Sequence, residues 1–197
     1  VSYADTALEE QNIIMVKLLL NHYDRFLTYD NLLTESSKNA IRRELAYMYF
    51  GFGDFIKTKD HLESGLMDLK EGYLKGDVMV ARPLSYLGET YRGLGSSEKS
   101  KDVLENSLML CKQHPTHQKE LGRTLVYLGN TYRDLGNYNK AIEFLSQALA
   151  ILKQDLPKNN SAYAEALAYM GLAYWFSGDY VNHRYYLEKS VDLYKNY

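Results

Sequence analysis

The chain has 197 residues, 46% hydrophobic and 24% charged, with a formal net charge of −2. That balance argues against a general nucleic-acid binder, which needs a basic surface to displace phosphate counterions. The single cysteine, Cys111, excludes an internal disulfide and a cysteine-rich zinc site. The apolar runs Ile13 to Val16 and Leu18 to Leu20 are broken by Lys17 and too short to span a bilayer.

In chain order, Asn12 is a capping residue type, and Ile13, Val16 and Leu20 follow at the spacing of one helix face. Residues 1–28 therefore read as the second helix of a truncated repeat. Because Gln11 stands where a turn glycine would, one uninterrupted helix is the other reading. Beyond this segment one phrase recurs: LAYMYFGFGDF from Leu45, LGETYRGLGSS from Leu87, LGNTYRDLGNY from Leu128 and MGLAYWFSGDY from Met170. Its glycines Gly53, Gly95, Gly136 and Gly178 stand 42, 41 and 42 residues apart. Self-similarity at such a period marks a solenoid, whose units bury their apolar faces only against neighbours. The expected division is a leading segment 1–35 (truncated repeat or capping helix), repeats at 36–76, 77–117, 118–159 and 160–197, and one repeat domain overall.

Within the third unit, Leu125, Leu128, Gly129 and Tyr132 fall on one face of a first helix. Gly136 supplies the left-handed residue that ends it, and Asn137 caps a second helix, as Asp54, Ser96 and Asp179 would elsewhere. That second helix turns Ala141, Leu145 and Ala148 inward. Small residues recur where two helices would cross closely: Gly88 and Gly171 match Gly129, and Ser100, Ser107 and Ser190 match the alanines. Three positions depart from the pattern. Arg42 replaces a core leucine, His183 replaces an Ala141-type residue, and Pro83 predicts a kink or a late helix start in the second unit.

The order Leu-Gly, Tyr, Gly, Ala, large apolar, Ala resembles the tetratricopeptide repeat over residues 40–197, most closely from Arg123 to Lys153. The basic repeat has about 34 residues, so this one is about eight longer, close to one extra turn in each helix. Long repeats of this kind look like those of kinesin light chains and of bacterial sensor proteins whose repeats follow a nucleotide-binding switch domain. A proline ten residues before the first core leucine, Pro115 before Leu125 and Pro157 before Leu167, is similar to the same long type. The resemblance implies an all-α, right-handed α-solenoid of antiparallel helix pairs. The chain opens on Val without Met and is read as a fragment, with the array expected to continue.

In proteins of this kind the far side of each first helix lines a concave groove. The helical wheel places Arg82, Tyr86, Glu89 and Arg92 there in the second unit, and Arg123, Tyr127, Asn130 and Arg133 with Asp134 in the third. The fourth contributes Glu165, Tyr169, Leu172, Trp175 and Phe176, and the first Ala40, Glu44, Tyr47 and Phe50. Tyr86, Tyr127 and Tyr169 share one register, where kinesin light chains carry asparagines. Either this ladder faces an open groove or the rings pack on one another with the arginines paired to Glu89 and Asp134. Tyr127 and Arg133 are expected to be replaceable without loss of fold, and Trp175 either anchors a partner or packs beneath a further repeat.

Other motifs carry less. GLGSSEKS from Gly93 is one residue from a phosphate-binding loop, but Glu98 replaces the second glycine and no strand precedes it. His114 and His117 flank a loop without further ligands. A chaperone-tail carboxylate clamp is not expected, since Val126 and Tyr169 stand where that motif has Lys and Asn. The expected function is non-enzymatic: a scaffold binding a protein or peptide segment along the groove, such as the sensor arm of a nucleotide-switch protein. The alternative is a receptor for a short signalling peptide in a bacterial regulator. No cofactor, metal, nucleic acid, membrane or small-molecule substrate is expected, and the cytoplasm is the default location.

Overall fold

The computed structural model describes residues 3–29, 33–67, 78–155 and 160–195. Pro157 and the unit boundaries expected at 76/77 and 159/160 fall outside them in whole or in part. Among the described residues the fold is all-α. A long helix α1 (Tyr3–Tyr29) precedes four antiparallel pairs: α2 (Glu35–Gly51) with α3 (Phe55–Gly65), α4 (Ala81–Gly93) with α5 (Ser97–Gln113), α6 (Gln118–Asp134) with α7 (Tyr138–Leu152), and α8 (Asn160–Ser177) with α9 (Tyr180–Lys195). Helix α1 runs without a break through Gln11 and Asn12, so no turn precedes Ile13.

Each pair turns on its glycine, at φ 73° for Gly53, 77° for Gly95, 76° for Gly136 and 85° for Gly178. A Cβ is disfavoured in this left-handed region, so the sequence period is a backbone requirement. Beyond the turn, Asp54, Asn137 and Asp179 accept bonds from the backbone N–H groups of Lys57, Lys140 and Asn182. Ser96 makes no such cap, against the expectation for it. Pro83 lies third in α4, where the missing N–H is one that the helix leaves unpaired anyway. Helix α4 therefore begins late, after a single 3-10 turn at Val78–Val80, with 13 residues against 17 in α2 and α6.

Every first helix packs on its own second helix, and successive first helices pack on one another, making a continuous core through Leu104, Leu125, Leu128, Leu145 and Met170. The crossings at Gly88 and Gly129 are tight. A Cβ there would lie 2.4 Å from Leu104 Cγ and 2.5 Å from Leu145 Cγ, respectively. In the last pair, where His183 replaces the small residue, the leucine stands farther off. The His183 Nδ1 lies 2.9 Å from the Gly171 carbonyl oxygen, and a Cβ on Gly171 would be 3.1 Å from Leu187 Cγ.

Two polar clusters tie elements together. Between α4, α5 and α6 the fully buried hydroxyls of Ser85, Ser107 and Thr124 stand 2.7–3.0 Å from one another. Each also donates to a carbonyl, Ala81 for the serines and Glu120 for the threonine, so no hydroxyl is left unmet. Cys111 is buried beside them, and burial raises its thiol pKa. At the other end Asp24 of α1 accepts from Tyr49 (2.5 Å) and Lys57 (3.2 Å) and lies 2.9 Å from His61, fastening α1 to α2 and α3. Arg42, at its degenerate core position, stays half-exposed and donates to Asn39 at 2.6 Å.

Candidate binding groove

The first helices α2, α4, α6 and α8 present the residues that the helical wheel assigns to the concave side. The tyrosine row is packed ring against ring. Tyr86 meets Tyr47 at 4.7 Å, Phe50 at 4.9 Å and Tyr127 at 6.3 Å between centroids. Tyr169 is held differently: its hydroxyl donates to Glu165 at 2.9 Å and its ring lies 6.0 Å from the Arg133 guanidinium. The floor of the groove is closed. Tyr127, Glu89 and Asn130 are only 6%, 4% and 1% exposed, and Tyr127 belongs to the main core. Both amide atoms of Asn130 are buried without a hydrogen-bond partner among the described residues, a costly state for a carboxamide.

The four arginines divide into two kinds. Arg92 grips Glu89 at 2.7 and 2.8 Å and reaches Asp134 at 2.9 Å, while Arg133 meets Asp134 at 2.6 Å. These two are neutralised within the chain. Arg82 and Arg123 make no ion pair among the described residues and rest on rings instead. Arg82 lies 4.2 Å from the Tyr47 centroid and Arg123 5.0 Å from that of Tyr86. The Arg123 Nη1 is buried and has no hydrogen-bond partner among the described residues.

Two cavities open beside Arg82 and Arg123. One of about 240 Å³ is lined by Lys119, Arg123, Tyr86, Tyr127, Glu165 and Tyr194, among others. The other, about 320 Å³, is lined by Tyr47, Arg82, Glu44, Glu120 and His117, among others. Sequence reasoning did not select Lys119, although it stands one helical turn before Arg123 and so shares its face. Tyr194 comes from the second helix α9, and no periodicity could have brought it to this site. At the far end Trp175 and Phe176 are 49% and 54% exposed, against Tyr180 and His183 and against Tyr138, respectively, and Leu172 is half-buried.

Burial raises the pKa of both groove glutamates, Glu89 despite its Arg92 fork and Glu165 with only the Tyr169 hydroxyl as a hydrogen-bond partner. For Asp134 burial acts in the same direction, but the bonds from Arg133 and Arg92 outweigh it and hold the carboxyl below its usual value. A carboxyl whose folded pKa is raised contributes stability below its unfolded value, about 4.3, and loses it as pH rises through the folded value. Glu165→Gln is therefore expected to melt above the wild type at pH 7 and level with it near pH 4. A variant less stable than wild type at pH 7 would show that Glu165 is not held at a cost.

Among the described residues no group of three or more His, Cys, Asp or Glu is placed to hold a metal ion. No described helix is long and apolar enough to cross a membrane. The tetratricopeptide repeat family profile matches residues 120–196. Among solved structures, BtubC (BKLC) from P. vanneervenii is 17% identical with a TM-score of 0.71, over 98% of this chain and 77% of that one. A kinesin light chain protein from Podosopora anserina with nearly identical TPR-like repeats is 18% identical with a TM-score of 0.68, over 96% of this chain and 91% of that one. A Rap protein complexed with Competence and Sporulation Factor is 17% identical with a TM-score of 0.78, over 91% of this chain and 48% of that one. At these identities the likeness is one of fold. No curated protein matches the chain.

Proposed function

We propose that the groove of the first helices binds an extended peptide or protein segment, with anionic groups of that partner held by Arg82 and Arg123. The observation that carries this reading is the buried, partnerless Nη1 of Arg123 beside a cavity of about 240 Å³. A guanidinium is strongly favoured by a carboxylate, which it can grip through two parallel bonds. The exposed Trp175 and Phe176 offer an apolar anchor toward the last pair.

Within this reading the array serves as the partner-binding arm of a larger nucleotide-switch protein or as a receptor for a short signalling peptide. The likeness to a Rap protein in complex with Competence and Sporulation Factor favours the second. The test is to select peptides from a random displayed library on the wild-type protein and titrate them against variants. Arg123→Ala is expected to weaken binding about tenfold or more without lowering the melting temperature, while Lys112→Ala on the outer face of α5 binds as wild type. Affinity should also fall as salt rises above about 0.1 M, where the screening length is about 10 Å. Selected peptides that bind Arg123→Ala and Arg82→Ala as tightly as wild type would overturn the groove as the site.

A further inference from the structure

At one register of the concave face the chain carries Arg82, Arg123 and Glu165, one per repeat. Arg123 and Glu165 line the same cavity of about 240 Å³, yet no ion pair joins them. Each is incompletely met: Arg123 has the partnerless buried Nη1, and Glu165 has only the Tyr169 hydroxyl. Opposite charges that face one cavity without touching leave room for a ligand that completes both. A simple anion or a simple cation would satisfy one and repel the other. A ligand bearing the two signs some distance apart satisfies the pair, and Lys119 on the cavity wall strengthens the anionic end. Arg82, facing the neighbouring cavity, extends the anionic side by one more repeat.

Resting on the groove reading above, we propose that the groove recognises its peptide by a charge register, with a cation over Glu165 and carboxylates over Arg123 and Arg82. Neighbouring packed helices stand about 8–10 Å apart, and an extended chain advances about 3.3 Å per residue. One repeat therefore spans about three residues. The ligand carries a lysine or a free terminal amine at one end, then an acidic side chain about three and again about six residues along. The same spacing read in the opposite chain direction satisfies the row equally.

The probes are synthetic peptides of about nine residues on a neutral background, labelled at one end and titrated by fluorescence anisotropy. One carries Lys, Glu and Glu at the register spacing, a second the reversed order, and a third the same residues permuted so that Lys stands between the glutamates. One of the first two is expected to bind at least about tenfold tighter than the permuted peptide. Glu165→Lys should reverse the preference at the first position, losing the Lys-bearing peptide and gaining one with Glu there. Glu165→Gln, which tests the same point without introducing a buried cation, should bind peptides with Lys or Ser at that position equally. Equal binding of the register and permuted peptides overturns the charge register and leaves the groove reading standing. So does failure of these probes where library-selected peptides still bind. Failure of both sets on folded protein overturns the groove reading itself.

Discussion

Gly129→Leu and Gly88→Leu are expected to be among the most destabilising single substitutions in this chain. At Gly129 the first added carbon would already stand 2.5 Å from Leu145 Cγ and 3.1 Å from the Ala141 carbonyl oxygen, and at Gly88 2.4 Å from Leu104 Cγ. The contact at Gly129 involves backbone, which cannot rotate aside, so the two helices must part. Overpacking of this kind costs about 1–3 kcal/mol and occasionally more. The same substitution at Gly171 should cost less, because an added Cβ there would stand 3.1 Å from Leu187 Cγ. Thermal and urea unfolding of the three variants should rank them in that order. A Gly129→Leu protein that melts with the wild type would mean that the inward face has been misassigned.

Tyr127→Ala is expected to lose stability before it reveals anything about binding. The ring is 6% exposed and packed within the central core, so its truncation compares with other large aromatic deletions at about 3–5 kcal/mol. Tyr127→Phe keeps the ring and should melt close to wild type. If Tyr127→Ala unfolds like the wild type, the residue is a surface contact after all and the groove is deeper than its buried floor implies. Arg123, resting on the face of Tyr86, is the cleaner probe of the groove.

The repeat period was legible because glycine has few substitutes at a left-handed turn, and Gly53, Gly95, Gly136 and Gly178 all adopt it. The inward face was legible because Leu125, Leu128 and Leu145 keep helical spacing and lie buried. What spacing could not disclose is which face residues also touch the neighbouring repeat. Tyr127 and Asn130 point away from their own partner helix yet lie buried, because successive first helices close on one another. Helical phase alone also could not sort the arginines. Arg92 and Arg133 meet Asp134, whereas Arg82 and Arg123 meet aromatic faces. Tyr127 and Arg133, both expected to be replaceable without loss of fold, also part company: Tyr127 lies in the core, whereas Arg133 is bonded to Asp134. Tyr194 entered the site from a second helix, a tertiary event with no local signature.

The hydroxyl triad of Ser85, Ser107 and Thr124 also bears on how the array comes apart. In a solenoid, stability is a sum of unit terms and nearest-neighbour interfaces, and the weakest interface decides where fraying stops. Apolar interfaces loosen gradually, but separating α6 from the α4–α5 pair would pull the fully buried Thr124 hydroxyl from its places 2.7 Å from Ser85 and 3.0 Å from Ser107, while the serines stay together within the pair. The second and third units are thereby joined by a polar contact in addition to the apolar core, which runs on through Met170 into the last pair. Amide exchange is then expected to be slow where α4, α5 and α6 meet at these hydroxyls.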